Sequence, residues 1–233
     1  KDEIIVKMYP GIKKLDSMIE GGFPDDSVIG LIGPAGVGKS LFAIHYVLAG
    51  AKNGEKSVYI NLEEPRTNID KVMQTMNFGK EYTTFEKKNK IKTYCFDYND
   101  FETVAYKIFK TIKEDKKIKR IVIDSFNGFF SYYKSSQISD EEKKSARKIL
   151  SNAFSLFKRE GLSILLVLEK NDFVKEINSL LTFKIDGLVE LDYISLGSIE
   201  RRIFIPKMRW TKQYDTSLMF NISKKGIKIL NDE

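Results

Sequence analysis

Residues 27–40, Ser27-Val28-Ile29-Gly30-Leu31-Ile32-Gly33-Pro34-Ala35-Gly36-Val37-Gly38-Lys39-Ser40, decide the fold. The apolar run 27–33 suits a strand buried on both faces. From Gly33 the chain matches G-x-x-x-x-G-K-[ST] in full, and residues 39–52 read as a helix ended by Asn53-Gly54. Strand, glycine-rich turn and helix in that order make a phosphate cradle. Glycines 33, 36 and 38 admit backbone conformations closed to residues with a Cβ, so successive N–H groups converge on one concavity. The helix N-terminus adds its partial positive charge. Lys39 supplies a mobile cation for the β- and γ-phosphates, and the Ser40 hydroxyl is a ligand for Mg²⁺. The run from Gly33 through Pro34, Ala35, Gly36, Val37, Gly38, Lys39 and Ser40 to Leu41 is therefore the expected binding segment for ATP.

Outward from this cradle the pattern alternates. Strands are expected at 57–63, 91–97, 120–125 and 163–169, with helices at 68–77, 101–114 and 140–160. Such alternation predicts an α/β fold with a mostly parallel sheet flanked by helices. Beyond Asp186 the reading changes to strands at 187–194, 199–209, 217–223 and 226–230, joined by short turns. These predict an antiparallel hairpin extension at one sheet edge. With no linker between the regions, residues 1–233 are expected to form one domain, its core at about 10–186 and the antiparallel strands at about 187–230.

Two further acids are needed around a bound nucleotide. Ile121-Val122-Ile123-Asp124 is an apolar strand ending in a carboxylate. In a doubly wound sheet its end faces the same crevice as Lys39, which makes Asp124 the expected Mg²⁺ residue, acting through a bound water. A turn-capping aspartate is the alternative. Glu63 and Glu64 follow the strand Val58-Tyr59-Ile60-Asn61-Leu62. Alternation sends them in different directions, so one can orient water in line with the γ-phosphate. Glu63 is the preferred base, and Glu64 a supporting residue. The bland alternative makes both of them helix-start acids ahead of Pro65.

Composition excludes several other chemistries. The 233 residues carry one Cys (Cys95) and one His (His45), which leaves no internal disulfide and no Cys/His zinc site and argues against a Ser-His-Asp centre. His45 lies among Leu41, Phe42, Ile44, Val47 and Leu48 and reads as a packed helix residue. The longest clean apolar run is Ile164 to Leu168, far below a membrane span. No secretory signal opens the chain, so a cytoplasmic protein without membrane insertion is expected. The net charge of +7 permits an anionic partner without demanding one.

The ordered set of motifs carries a resemblance. Gly11-Ile12-Lys13-Lys14-Leu15-Asp16 and Glu20-Gly21-Gly22-Phe23-Pro24 run into the cradle; the strand ending in Glu63-Glu64, Asp186-Gly187-Leu188-Val189 and Lys207-Met208-Arg209 follow. Together they resemble the KaiC-like branch of the RecA/RadA superfamily of P-loop ATPases, over nearly the whole chain. Trp210 departs from the pattern, standing where a small residue is usual. The resemblance implies that Glu63 activates water. It also implies that Lys207 and Arg209 enter the active site of a neighbouring subunit, making the protein a homo-oligomer, with a hexameric ring among the outcomes. An exposed basic strand edge is the alternative for that pair. Glu169, with Lys170 and Asn171, stands where related ATPases carry a γ-phosphate sensor. The aromatics Phe126, Phe129, Phe130, Tyr132 and Tyr133 lie where recombinase relatives bind DNA, so a paralogue that binds single-stranded DNA is the second reading, although a subunit contact explains those aromatics better. An ATP-binding scaffold and an autokinase are less favoured.

Overall fold

The computed structural model describes residues 6–96, 101–127, 140–170, 184–195, 199–211 and 216–230. Its centre is a nine-stranded sheet. The strands of this sheet are β3 (Val28–Gly33), β4 (Lys56–Asn61), β5 (Ile91–Cys95), β6 (Ile118–Asp124), β7 (Ser163–Glu169), β8 (Gly187–Ser195), β9 (Ile199–Met208), β10 (Leu218–Ser223) and β11 (Gly226–Ile229). Their spatial order is β11-β10-β9-β8-β3-β7-β6-β4-β5. The six strands from β8 to β5 run parallel, whereas β9, β10 and β11 each pair antiparallel. β8 is the junction, parallel to β3 on one side and antiparallel to β9 on the other.

Period-two alternation splits the apolar strand residues between two cores. Tyr59, Val122, Leu165 and Val167 face α2 (Lys39–Lys52), whose Phe42, Tyr46 and Val47 are buried with them. Val58, Ile60, Ile121, Ile123, Ile164 and Leu166 face the other way, onto Val104, Ile108 and Ile112 of α5 (Phe101–Glu114) and Phe154 and Phe157 of α6 (Asp140–Arg159). Outside the sheet are the hairpin of β1 (Lys7–Met8) and β2 (Phe23–Pro24), α1 (Lys13–Met18), α3 (Arg66–Thr75) and α4 (Gly79–Lys87). Sequence periodicity gave no sign of α4: it is nine residues long, with Tyr82 and Gly79 its only buried residues.

Two polar devices hold α2 against this frame. His45 accepts a hydrogen bond from the Ile227 amide at 3.1 Å, tying the cradle helix to the β10–β11 turn. Burial pushes its pKa down to about 4, so it stays neutral and structural, as the sequence suggests. At the other end of the sheet Arg120 is fully buried. It binds Glu55 through Nε at 2.5 Å and Nη2 at 3.2 Å, donates to the carbonyls of Tyr9 (2.7 Å) and Tyr46 (3.1 Å), and lies over both tyrosine rings. Replacing Arg120 with Met leaves Glu55 and two carbonyls without their donor. It should cost about 3–5 kcal/mol in urea unfolding; a loss no larger than that of an exposed ion pair would show that the network carries no weight.

Candidate nucleotide site

The cradle forms where β3 ends. Gly33 lies so close to β8 that a Cβ there would sit 2.4 Å from the Leu191 carbonyl oxygen, so any side chain would force the strands apart. Gly38 takes φ +116° as the residue before α2, and no side chain caps that helix. Its first amides are thereby left for an anion. Val37 and Leu41 are buried and anchor the loop, so they offer a ligand their main-chain amides and not their side chains. Ala35, Gly36 and Ser40 are exposed along the open rim. The Lys39 ammonium, 7% exposed, donates to the Pro34 carbonyl at 2.9 Å and lies 3.7 Å from the Glu169 carboxylate.

Asp124 ends β6 on the same sheet edge. It accepts hydrogen bonds from the Tyr59 phenol and from the Ser40 hydroxyl. Burial raises its pKa to about 6, against the opposing pull of those two donors; Glu63 adds to the rise and Lys39 opposes it. Glu63 and Glu64 are exposed beyond the end of β4, and both amides donate to the Asn61 side-chain oxygen, at 2.9 and 2.7 Å. The Glu63 carboxylate accepts from the Ser125 hydroxyl, beside Asp124 across the cis Asp124–Ser125 peptide. The Glu64 charge bears on the Tyr59 phenol. The structure thus brings residues 33–41, Asp124, Glu63, Glu64 and Glu169 to one edge.

Lys207 and Arg209 are elsewhere. β9 runs antiparallel, so Lys207 pairs with Leu188 and Met208 with Gly187, level with the start of β3. At about 3.3 Å per residue this is roughly 10–15 Å down the sheet from Gly33. Lys207 donates to the Ile185 carbonyl at 2.7 Å. Burial, with Arg209 beside it, lowers its pKa. The Arg209 guanidinium lies 3.4 Å from Asp186. Asp186 is itself buried and also accepts from the Val28 amide (3.0 Å) and Lys158 (3.3 Å).

The sequence profile of the family described as the KaiC ATPase matches residues 8–233. The chain belongs to the KaiC ATPase family. It is 25% identical to a UPF0273 protein of Thermotoga maritima, over 99% of this chain and 98% of that one. It is 26% identical to the circadian clock oscillator protein KaiC of Synechococcus elongatus, over 95% of this chain but 42% of that protein, so it spans about two-fifths of that length. Among solved structures it is similar to a KaiC-like protein from the hyperthermophilic archaeon Pyrococcus horikoshii, with a TM-score of 0.78, 26% identity, and coverage of 97% and 100% of the two chains. The KaiC-like α/β fold with its antiparallel C-terminal strands is thus shared with a solved structure.

Several residues around this KaiC-family cradle escaped sequence reading. Tyr59 is fully buried on β4, and burial together with the neighbouring Asp124 holds its phenol well above the ordinary tyrosine pKa, so it remains a donor. A tyrosine inside an apolar strand gives no sign of that role. Tyr193 of β8 places its hydroxyl near Gly36, within 3.5 Å of where a Cβ would be, and Arg201 of β9 lies over the Tyr193 ring at 5.4 Å. The Arg201 Nε is buried without a hydrogen-bond partner among the described residues. Only cross-strand register, Tyr193 opposite Arg201, would have linked this cation to the loop. Asn127 accepts from the Glu169 amide at 2.6 Å and so fixes the end of β7.

The donor set also fits a magnesium ion. No group of three or more His, Cys, Asp or Glu residues among those described could hold a metal unaided. A hydroxyl and one carboxylate beside a phosphate cradle suit an ion that keeps its waters and shares phosphate oxygens. Asp124 yields a prediction whose sign follows from its raised pKa. The carboxylic acid is favoured in the fold over the carboxylate, so this contribution to stability is full below pH 3.8 and is lost as pH rises through about 6. Asp124→Asn without nucleotide should therefore be more stable than the parent by about 3 kcal/mol at pH 8, with the gain vanishing toward pH 4. Denaturant unfolding at the two pH values checks this, and a variant destabilised more at pH 8 than at pH 4 would contradict it.

Proposed function

We propose that this chain is a Mg²⁺-dependent ATPase, built as one domain, whose active site is completed by a neighbouring copy. The observation that carries the proposal is the division of the site between two sheet edges. Cradle, Asp124 and Glu63 share one edge, while the two cations expected to compensate transition-state charge sit at the other, bonded to residues 185–186. They cannot reach the cradle of their own chain, but a head-to-tail assembly presents one subunit's β9 end to the next subunit's cradle.

In this reading the amides of residues 35–41 and Lys39 grip the triphosphate. Ser40, and Asp124 through water, would hold a magnesium ion that offsets the charge of the phosphates. Glu63, steadied by Ser125, takes the proton as the water oxygen bonds to the γ-phosphorus and the bond to the ADP oxygen breaks. Lys207 and Arg209 of the adjoining subunit stabilise the charge spread over the equatorial oxygens, which in trans is worth roughly 10³–10⁵ in rate. Glu169, already within 3.7 Å of Lys39, sits where it would register that cation's shift toward the γ-phosphate.

A DNA-binding reading gains nothing from the fold. Phe126 is buried in the core at 5% exposure and is unavailable for stacking on bases. Phe129, Phe130, Tyr132 and Tyr133 lie outside the described residues. No helix among the described residues is long and apolar enough to cross a membrane.

Turnover per subunit should rise with protein concentration until assembly saturates. Lys39→Ala should lose nucleotide binding, and Glu63→Gln should keep binding while its turnover falls by about 10²–10⁴-fold. Turnover per subunit that is flat over the range in which scattering shows association would overturn the shared site.

A further inference from the structure

Trp210 follows Arg209 directly and is the only tryptophan of the chain. Its backbone has φ +56°, a left-handed conformation that an L side chain adopts at a cost and that glycine adopts freely. Its side chain is 56% exposed, so the indole gains little from folding of its own subunit. The turn beneath it is fixed: the Arg209 amide donates to the Asp186 carbonyl at 3.0 Å, and Lys7 donates to the Thr211 hydroxyl at 2.7 Å. That second bond sets β1 beside the turn, and Val6, just ahead of β1, is likewise 56% exposed. A large apolar side chain is thus exposed in an unfavourable backbone state, on a turn whose residues on either side, Arg209 and Thr211, are hydrogen-bonded to Asp186 and Lys7.

We propose that Trp210 is contributed in trans, packing against the cradle edge of a second copy of this chain beside that copy's nucleotide. The inference rests on the shared-site reading and names a residue that reading does not use. Two observations select a second copy as the occupant. Trp210 is joined in sequence to a cation that has no anionic nucleotide within reach in its own chain. The cradle edge exposes the carboxylates of Glu63 and Glu64 near Asp124, opposite in sign to Lys207 and Arg209 at the finger edge. A buried tryptophan flanked by paired charges is the residue type that dominates such contacts. There the indole excludes water from the place where Lys207 and Arg209 meet the γ-phosphate, and that gain offsets the strained backbone.

The full chain is titrated in Mg²⁺ with a non-hydrolysable ATP analogue, following mass by light scattering and Trp210 by its emission. Emission should shift to the blue and lose acrylamide quenching in step with the rise in mass. Trp210→Gly should raise the half-assembly concentration by about 30-fold. Its monomer should melt no lower than the parent, because glycine relieves the backbone; Trp210→Phe should fall between them. A monomer of Trp210→Gly that melts clearly lower would show a role inside the chain and overturn the inference. Assembly with unchanged emission, or with Trp210→Gly associating like the parent, would also overturn it while leaving the shared site standing. An emission change at concentrations where the mass stays monomeric would overturn it as well. No association at any concentration would remove both readings together.

Discussion

The in-register parallel pairing of β3, β7, β6 and β4 is the constraint on which the site depends. Gly33 is level with Glu169 and Asp124 with Asn61, and the β6–β7 register sets the second pair within two residues of the first, so the four strand ends finish close together. The cradle, Glu63, Asp124 and Glu169, far apart along the chain, then lie as one constellation. The arrangement survives only because both sheet faces are covered, by α2 on one side and by α5 and α6 on the other. A parallel sheet of this kind has no face to spare for water.

The same sheet accounts for the proposed division of the site between two copies of the chain. Adding β9 antiparallel to β8 sends the Lys207-Met208-Arg209 segment back to the start of the parallel strands. There Asp186 gathers the Val28 amide, Lys158 and Arg209, so the segment that carries the cations is fixed to the core instead of hanging from a loop. A rigid base of this kind suits a group that must meet another molecule in a defined geometry. Asp124 shows the opposite economy. Burial raises the pKa of this carboxylate to about 6, so that its ionised form costs the fold stability; in the proposed site the same carboxylate is the group that would hold a cation.

Much of this was legible in the sequence because glycines, strand ends and charged residues have positional meaning. Gly33 and Gly38 announce a loop, Asp124 closes an apolar run, and the pattern change after Asp186 marks the antiparallel extension. Residues acting across strands were not legible. Tyr59 looks like any β-former until β4 is laid beside β6, and Arg201 reads as one of two charges on a hairpin until register sets it over Tyr193. Phe126 misled in the other direction, since an aromatic in a loop-like stretch proved to be core. α4 is too short, and too little buried, for periodicity to show it.

The central claim, that two subunits build each site, is tested most directly by mixing two inactive variants, Glu63→Gln and the double variant Lys207→Ala/Arg209→Ala. Each fails alone, by losing its base or its finger. A mixed interface pairs the intact Glu63 of one with the intact cations of the other, so the account predicts that turnover reappears on mixing and peaks near equal amounts. Turnover that stays at the level of the separate variants, while scattering shows that they co-assemble, would contradict it.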